Sequence, residues 1–387
     1  MIKARIYFIS ETAPVNTHAS SVVFYRHLQQ LTAEGHHVIW VTDHNSYLAN
    51  SDKVKQWECI VLPNRRWHLP PYRGRGLAQY YRFKYYYRRY LQKVISDGPA
   101  ILLTHISGQF LAPFSAYVHK RTQIPLISFF HDDILELNFN RNRKSLVKNT
   151  KKVLEASMSV LTVSAEFKNN WPLYSSKFKL LYPLPEVYHS SRYVITEKQK
   201  ANFTIAYAGA VYEEILPCFE RLLYYLKDTN HRLLIIGNLE KIRSLSNRFP
   251  ENLVCRDLFE KPQEAFDFLT RNSEAMIIPY PTEINMMPWI STCFPSKFIQ
   301  YCQLNMPTII IAPIMSAIGK WCIDHSWPLY SADYSPESLS RLLNDRNKEA
   351  AIAQITNLNA RDFNPQNIAW QFEETVQHAI NSVTKWQ

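Results

Sequence analysis

The chain has 387 residues, 46% hydrophobic and 20% charged, which is enough for about two domains with real apolar cores. Its 44 Lys and Arg against 33 Asp and Glu give a net charge of +11, a balance that favours anionic partners such as nucleic acid, phosphorylated substrates or acidic lipid. No run approaches the roughly 20 apolar residues that span a bilayer. The N-terminus reads as a first strand rather than a signal peptide, and six scattered cysteines without a Cys-x-x-Cys pair argue for reduced thiols over a disulfide framework or zinc site.

In chain order, the pattern predicts a strand at Arg5–Ser10 and a polar loop from Glu11 to Ser20. A helix over Ser20–Ala33 follows, with Val23, His27, Leu28 and Leu31 at helical spacing and Gly35 ending it. Short apolar runs at His37–Thr42, Cys59–Leu62, Ile101–His105, Leu126–Phe130, Val160–Ser164 and Leu180–Tyr182 predict further strands. Short buried strands alternating with helical segments imply a parallel sheet covered on both faces.

The second half repeats this grammar. Strands are predicted at Phe203–Ala208, Leu233–Ile236, Asn252–Cys255, Ala275–Pro279 and Thr308–Ala312, with helices at Glu213–Leu226, Pro262–Arg271 and Ser296–Leu304. The polar stretch Pro183–Ala201 marks a boundary. The expected architecture is α/β, two Rossmann-like doubly wound domains: residues 1–185, residues 186–364, and a C-terminal helix in 365–387 that packs back on the first domain. In such sheets ligands bind beyond the carboxyl ends of the strands, so a cleft between the domains is the expected site.

Two segments stand out. Between Arg65 and Lys93, nine basic residues interleave with seven tyrosines, with no Asp or Glu. From Leu77 onward this segment can be helical, with Tyr80, Phe83, Tyr87, Leu91 and Val94 on one stripe. A basic, aromatic helix suits an anionic membrane surface. Nucleic-acid binding and a core-packed helix with a solvated basic face are the competing readings, and no nucleic-acid fold motif accompanies the segment.

The other segment runs from Phe294 to Pro313. Pro295 opens a helix, placing Ser296 and Lys297 in a first turn whose free amides and dipole favour an anion. Pro307 stops the helix before the β-branched strand Thr308–Ile311. The alternative is a capped helix packed on a sheet.

These pieces together resemble the GT-B glycosyltransferases, in particular the nucleotide-sugar-dependent group of family 4. The resemblance rests on Arg5-Ile-Tyr-Phe-Ile-Ser10, Glu34-Gly-His-His-Val-Ile-Trp-Val-Thr42, Leu161-Thr-Val-Ser-Ala-Glu166, Phe203-Thr-Ile-Ala-Tyr-Ala-Gly209, Leu233-Leu-Ile-Ile-Gly237 and the Pro295-Ser-Lys segment. It implies that a nucleotide sugar sits mainly on the second domain and an acceptor against the first, with no cofactor or metal required. The implied donor-binding residues are Gly209, Tyr212, Glu213, Glu283, Ser296, Lys297 and Gln300. His131 and Asp132 are the implied catalytic residues, and His18 and Ser20 belong to the acceptor-side loop.

The sequence departs from the family pattern in several places. Gln300 and Thr292 stand where the family carries acids, Ala210-Val-Tyr-Glu-Glu214 replaces the usual Arg and Lys, and the first loop lacks paired glycines.

The expected function is transfer of a sugar from a nucleotide sugar to a lipid-linked or polysaccharide acceptor. The expected location is cytoplasmic, peripheral on the inner membrane face through Arg65–Lys93, with no nucleic-acid partner. The alternatives are a catalytically inactive GT-B-like glycan-binding or partner subunit, and a nucleotide-sugar epimerase of the same fold.

Overall fold

The computed structural model describes residues 2–17, 19–63, 77–95, 98–107, 110–137, 143–186 and 203–384. The chain divides into two compact units, one of residues 1–184 with 366–387, the other of residues 185–365.

The first unit is built on seven parallel strands: β1 (Arg5–Ile9), β2 (His37–Asp43), β3 (Glu58–Leu62), β4 (Ala100–His105), β5 (Leu126–Phe130), β6 (Ser157–Thr162) and β7 (Phe178–Leu180). Their order across the sheet is β3-β2-β1-β4-β5-β6-β7. The order reverses direction between β1 and β4, and that is where a doubly wound sheet opens a crevice beyond its strand ends.

One core fuses the sheet to the C-terminal helix Pro365–Thr384. Ile368, Phe372, Val376, Ala379 and Ile380 recur at helical spacing and pack with Phe8, Phe24, Leu28 and Phe129. Covering the β1 side of the sheet in this way explains why the chain returns to its first unit. Each fully buried Phe or Ile contributes roughly 2 kcal/mol.

The second unit has six parallel strands: β8 (Thr204–Ala208), β9 (Arg232–Ile236), β10 (Leu253–Arg256), β11 (Ala275–Pro279), β12 (Thr308–Ile311) and β13 (Tyr330–Ser331). Their order is β10-β9-β8-β11-β12-β13, so its reversal falls between β8 and β11.

Two expected strands need correction, and a third strand was not expected. β6 begins at Ser157 rather than Val160, because its buried serines are satisfied: Ser157 Oγ donates to the Val153 carbonyl at 2.7 Å and lies 2.9 Å from Ser128 Oγ. β7 is Phe178–Leu180, led by the buried Phe178, rather than Leu180–Tyr182. β13, only two residues long, has no apolar run to announce it.

The basic segment is described from Leu77; residues 64–76, with Arg65, Arg66, Arg73 and Arg75, lie outside the described residues. The α-helix Leu77–Tyr86 runs into a π-helical turn, Tyr87–Leu91, in which the Gln92 amide donates to the Tyr87 carbonyl at 2.8 Å. That turn changes the inward stripe. Phe83, Tyr86 and Leu91 are buried, the last two five residues apart, whereas Tyr80 stays 40% exposed. Phe83 packs on Phe114 of the neighbouring helix Leu111–Thr122 and on its N-cap residue Phe110. The opposite face presents Tyr81, Lys84, Tyr85, Arg88 and Arg89.

Candidate functional site

In the second unit, the loops at the β8/β11 reversal carry most of the expected donor residues. β8 is followed by Gly209, whose φ of +129° is a conformation that side-chain-bearing residues rarely adopt. A Cβ there would lie 2.4 Å from Lys297 Nζ, so the absent side chain is the space the ammonium occupies.

Lys297 reaches this point from the first turn of the helix Ser296–Gln303, whose N-cap Pro295 offers no side-chain hydrogen bond to the free amides. Its Nζ donates to Tyr207 Oη at 2.9 Å and stands 4.2 Å from the Tyr207 ring centroid. Tyr207 Oη in turn donates to the Ala210 carbonyl. Burial lowers the Lys297 pKa below the usual lysine range, partly offset by Tyr301, and pushes the Tyr301 phenol up to about 12. Among the described residues no carboxylate forms an ion pair with Lys297. A half-buried cation held by a phenol and a ring face has charge that an anion would complement.

At the same reversal point, Trp289 contacts both Tyr212, from the β8 loop, and Tyr280, from the β11 loop, at 6.0 and 6.2 Å between ring centroids. This aromatic cluster bridges the reversal point, and Tyr212 leaves 45% of its surface exposed. Tyr280 and Trp289 escaped sequence reasoning; their signal was position, immediately after β11 and its turn. Glu213, Glu214 and Glu283 are exposed, the first two opening a short 3-10 turn. Ser296 is half-buried at the helix start.

Gln300 is engaged elsewhere in this unit. Its Oε1 accepts from the Glu186 amide and its Nε2 donates to the Glu186 carbonyl, both at 3.1 Å. Only a carboxamide offers this donor–acceptor pair; a carboxylate would face the Glu186 carbonyl with a second acceptor. Thr292 is buried, with Oγ1 3.4 Å from the Trp289 carbonyl.

The first unit treats charge differently. At the ends of β1 and β4, Thr12 Oγ1 lies 2.9 Å from His105 Nδ1 and 3.3 Å from Ser107 Oγ. Glu11 Oε1 accepts from the Leu111 amide at 2.8 Å, at the start of the helix Leu111–Thr122, while its Oε2 is buried without a partner. Burial raises the Glu11 pKa to about 7, with Asp43 adding repulsion and the backbone donors opposing it.

His131 follows β5 and is 9% exposed, and its Nδ1 is unpartnered. His105 Nε2 and His27 Nδ1 are also buried and unpartnered. Burial first, then the proximity of His131, holds the pKa of His105 well below the usual range and lowers that of His27 to about 3.

Asp132 is half-buried; the cap of the helix Ile134–Leu137 is instead the fully buried Asp133, which accepts from the Leu135 amide at 3.0 Å and from Asn170 Nδ2 at 2.9 Å. Ser20 is half-buried in the helix Ala19–Ala33, and His18 lies outside the described residues. Glu11, Thr12, His105 and Ser107 were missed by sequence reasoning, although each directly follows or ends a buried strand at the reversal point. Among the described residues no group of three or more His, Cys, Asp or Glu is placed to hold a metal ion.

The family model for Glycosyltransferase Family 4 matches residues 20–177. Among solved structures, Anabaena HepE in complex with UDP-glucose aligns over 97% of this chain and 99% of its own, with a TM-score of 0.66 at 9% identity. A glycosyltransferase from Rickettsia africae aligns over 98% of both chains, with a TM-score of 0.62 at 15% identity. The catalytic domain of starch synthase IV from Arabidopsis thaliana, bound to ADP and acarbose, aligns over 98% of this chain and 99% of its own, with a TM-score of 0.62 at 12% identity. No curated protein sequence matches the chain. The chain thus has the GT-B fold, two Rossmann-like units, and over residues 20–177 it is similar to Glycosyltransferase Family 4.

Proposed function

We propose that the protein is a glycosyltransferase that takes a sugar from a nucleotide-sugar donor bound to its second unit. The observation that carries this reading is the Lys297 ammonium lodged over Gly209 at a helix start without a side-chain cap, with no carboxylate among the described residues ion-paired to it. A diphosphate leaving group needs fixed positive charge and amide donors where negative charge develops, and these residues supply both. Tyr212, Tyr280 and Trp289 offer ring faces and edges for the base or sugar of the donor.

His131 and Asp132, at the end of β5, are the groups we assign to the transferred sugar and the acceptor. The exposed face of Tyr81, Lys84, Arg88 and Arg89 supports a lipid-linked or polysaccharide acceptor reached from an anionic membrane surface on the cytoplasmic side. Among the described residues no helix is long and apolar enough to cross a membrane.

The test is turnover over a panel of nucleotide sugars. Release of nucleoside diphosphate with any donor supports the reading, and specific donor binding without turnover counts against it. That second outcome fits a GT-B-like binding subunit, which Gln300 favours because its amide is committed to the Glu186 backbone, as does the uncharged Thr292.

A further inference from the structure

Charge in the first unit is sorted by the two faces of its sheet. The crossovers from β3 to β4, β4 to β5 and β5 to β6 all step the same way across the strand order, so right-handed connections place their helices on one face. These helices are Leu77–Tyr86 with its π-turn to Leu91, Leu111–Thr122 and Arg143–Ala156. They sit side by side: Phe83 packs on Phe114, Arg121 donates to Tyr80 Oη at 2.7 Å, and Leu111–Thr122 lies against Arg143–Ala156. The crossover from β1 to β2 steps the other way, and its helix, Ala19–Ala33, shares the opposite face with Pro365–Thr384.

The three helices of the first face carry eleven Lys and Arg and one acid, Glu155. The two helices of the opposite face carry one Arg, Arg26, and two acids, Glu373 and Glu374. A chain of net charge +11 thus concentrates basic residues on one face of one sheet. In Arg143–Ala156, Leu146, Val153 and Leu154 turn inward, while Lys144, Lys148, Lys151 and Lys152 are exposed at helical spacing. The acids nearby are engaged: Glu136 pairs with Arg143 at 3.0 Å, and Glu155 accepts from Tyr174 Oη at 3.1 Å. Among the described residues no carboxylate is ion-paired to Lys144, Lys148 or Lys151, nor to Lys84, Arg88 or Arg89.

Like charges gathered on one face repel, and an anionic surface relieves that repulsion. Beside the lysines, Tyr81 leaves 62% of its surface exposed and, with Tyr85, Lys84, Arg88 and Arg89, lines an open depression of about 390 Å³. Phenol rings next to basic side chains suit the boundary between lipid headgroups and acyl chains. A layer of parallel-packed helices also meets a plane, whereas reading a nucleic-acid groove needs an element that projects into it. We propose that this three-helix face docks on an anionic lipid bilayer, the exposed lysines of Arg143–Ala156 meeting headgroup phosphates alongside Lys84, Arg88 and Arg89, a surface that rests on the membrane contact given above for the Leu77 helix and extends it to a second element.

The test is flotation of the full chain with vesicles of equal phosphatidylglycerol and phosphatidylcholine, against vesicles of phosphatidylcholine alone. Binding to the anionic vesicles at low salt, its loss at high salt and none to the neutral vesicles are expected. Lys144→Gln, Lys148→Gln and Lys151→Gln combined should weaken partitioning on the order of a hundredfold. A control with the same loss of charge, Lys227→Gln, Lys241→Gln and Lys261→Gln at exposed positions of the second unit, should change it by less than about twofold. Thermal melts of the variants confirm folding.

Parent-like partitioning of the Lys144, Lys148 and Lys151 variant would overturn the three-helix surface. If Lys84→Gln, Arg88→Gln and Arg89→Gln then abolish flotation, the membrane contact of the Leu77 helix stands without it. No flotation of the parent with anionic vesicles at low salt would overturn both. Capture of a single-stranded oligonucleotide in place of vesicles would assign the face to nucleic acid and overturn the proposal as well.

Discussion

The two reversal points of this molecule handle charge in opposite ways. In the first unit, ionisable groups are withdrawn and held near neutrality: Glu11 has its pKa raised to about 7, His27 has its lowered to about 3, and both keep an unpartnered atom in the interior. In the second unit the Lys297 ammonium has, among the described residues, no carboxylate ion-paired to it, and the strand-end loops carry the Tyr212–Trp289–Tyr280 cluster. The first arrangement suits groups that exchange protons or orient neutral hydroxyls. The second suits electrostatic capture of an anion. The same α/β scaffold thus carries different chemistry at its two reversal points, and the difference lies in the few residues that follow the strands.

The strongest way to break this contrast is through Glu11. Its folded pKa lies above the unfolded one, so between pH 4.5 and 7 the folded unit keeps a proton that the unfolded chain releases, and stability falls as pH rises. The span corresponds to about 3 kcal/mol. Glu11→Gln keeps the acceptor for the Leu111 amide and should gain most of that at pH 8 and almost nothing at pH 4, measured by urea unfolding. Equal effects at both pH values would show that Glu11 is not held protonated. His27 and His105 act in the opposite sense: neutral when folded, they cost stability as pH falls below 6.5, which is why the difference between variant and parent, rather than the parent curve, is the readout.

A smaller effect is expected at Gly209. Gly209→Ala forces a positive φ on a side-chain-bearing residue and displaces the Lys297 ammonium, for a loss of about 1–3 kcal/mol of stability together with weakened nucleotide binding. Loss of stability with unchanged nucleotide affinity would separate the ammonium from the ligand site. Next comes Gln300→Glu, which breaks one of two hydrogen bonds to Glu186 and faces its carbonyl with an acceptor, at a cost of about 1–2 kcal/mol. A rise in donor turnover in that variant would mean that the amide restrains catalysis rather than merely pinning the chain.

Much of the scaffold was legible because it is written in repeating grammar. β5 and β11 fall where their apolar runs lie, and Gly209 and Lys297 stand where the strand end and helix start require them. Illegible features depended on partners distant in sequence. The buried serines of β6 read as loop until Ser128 and Val153 are seen to satisfy Ser157. The tyrosine stripe of the basic helix shifts because a π-turn brings Tyr86 and Leu91 inward together, which no 3.6-residue period anticipates. Glu11 looked like an ordinary loop acid, since its burial comes from a helix start a hundred residues away. Gln300 stood out as a missing acid, yet the reason for its amide, the Glu186 backbone, is visible only in three dimensions.

The most direct test of the account is a thermal-shift titration of nucleoside diphosphates against the parent chain and Lys297→Ala. Without ligand, the variant should melt at or slightly above the parent temperature, because a costly half-buried charge has been removed. With nucleoside diphosphate, the parent should be stabilised and the variant should need about tenfold more ligand for the same shift, or about 1.4 kcal/mol. Identical titrations for the two proteins, or no stabilisation of the parent by any nucleoside diphosphate, would contradict the assignment of Lys297 as the anion-binding group of the second unit.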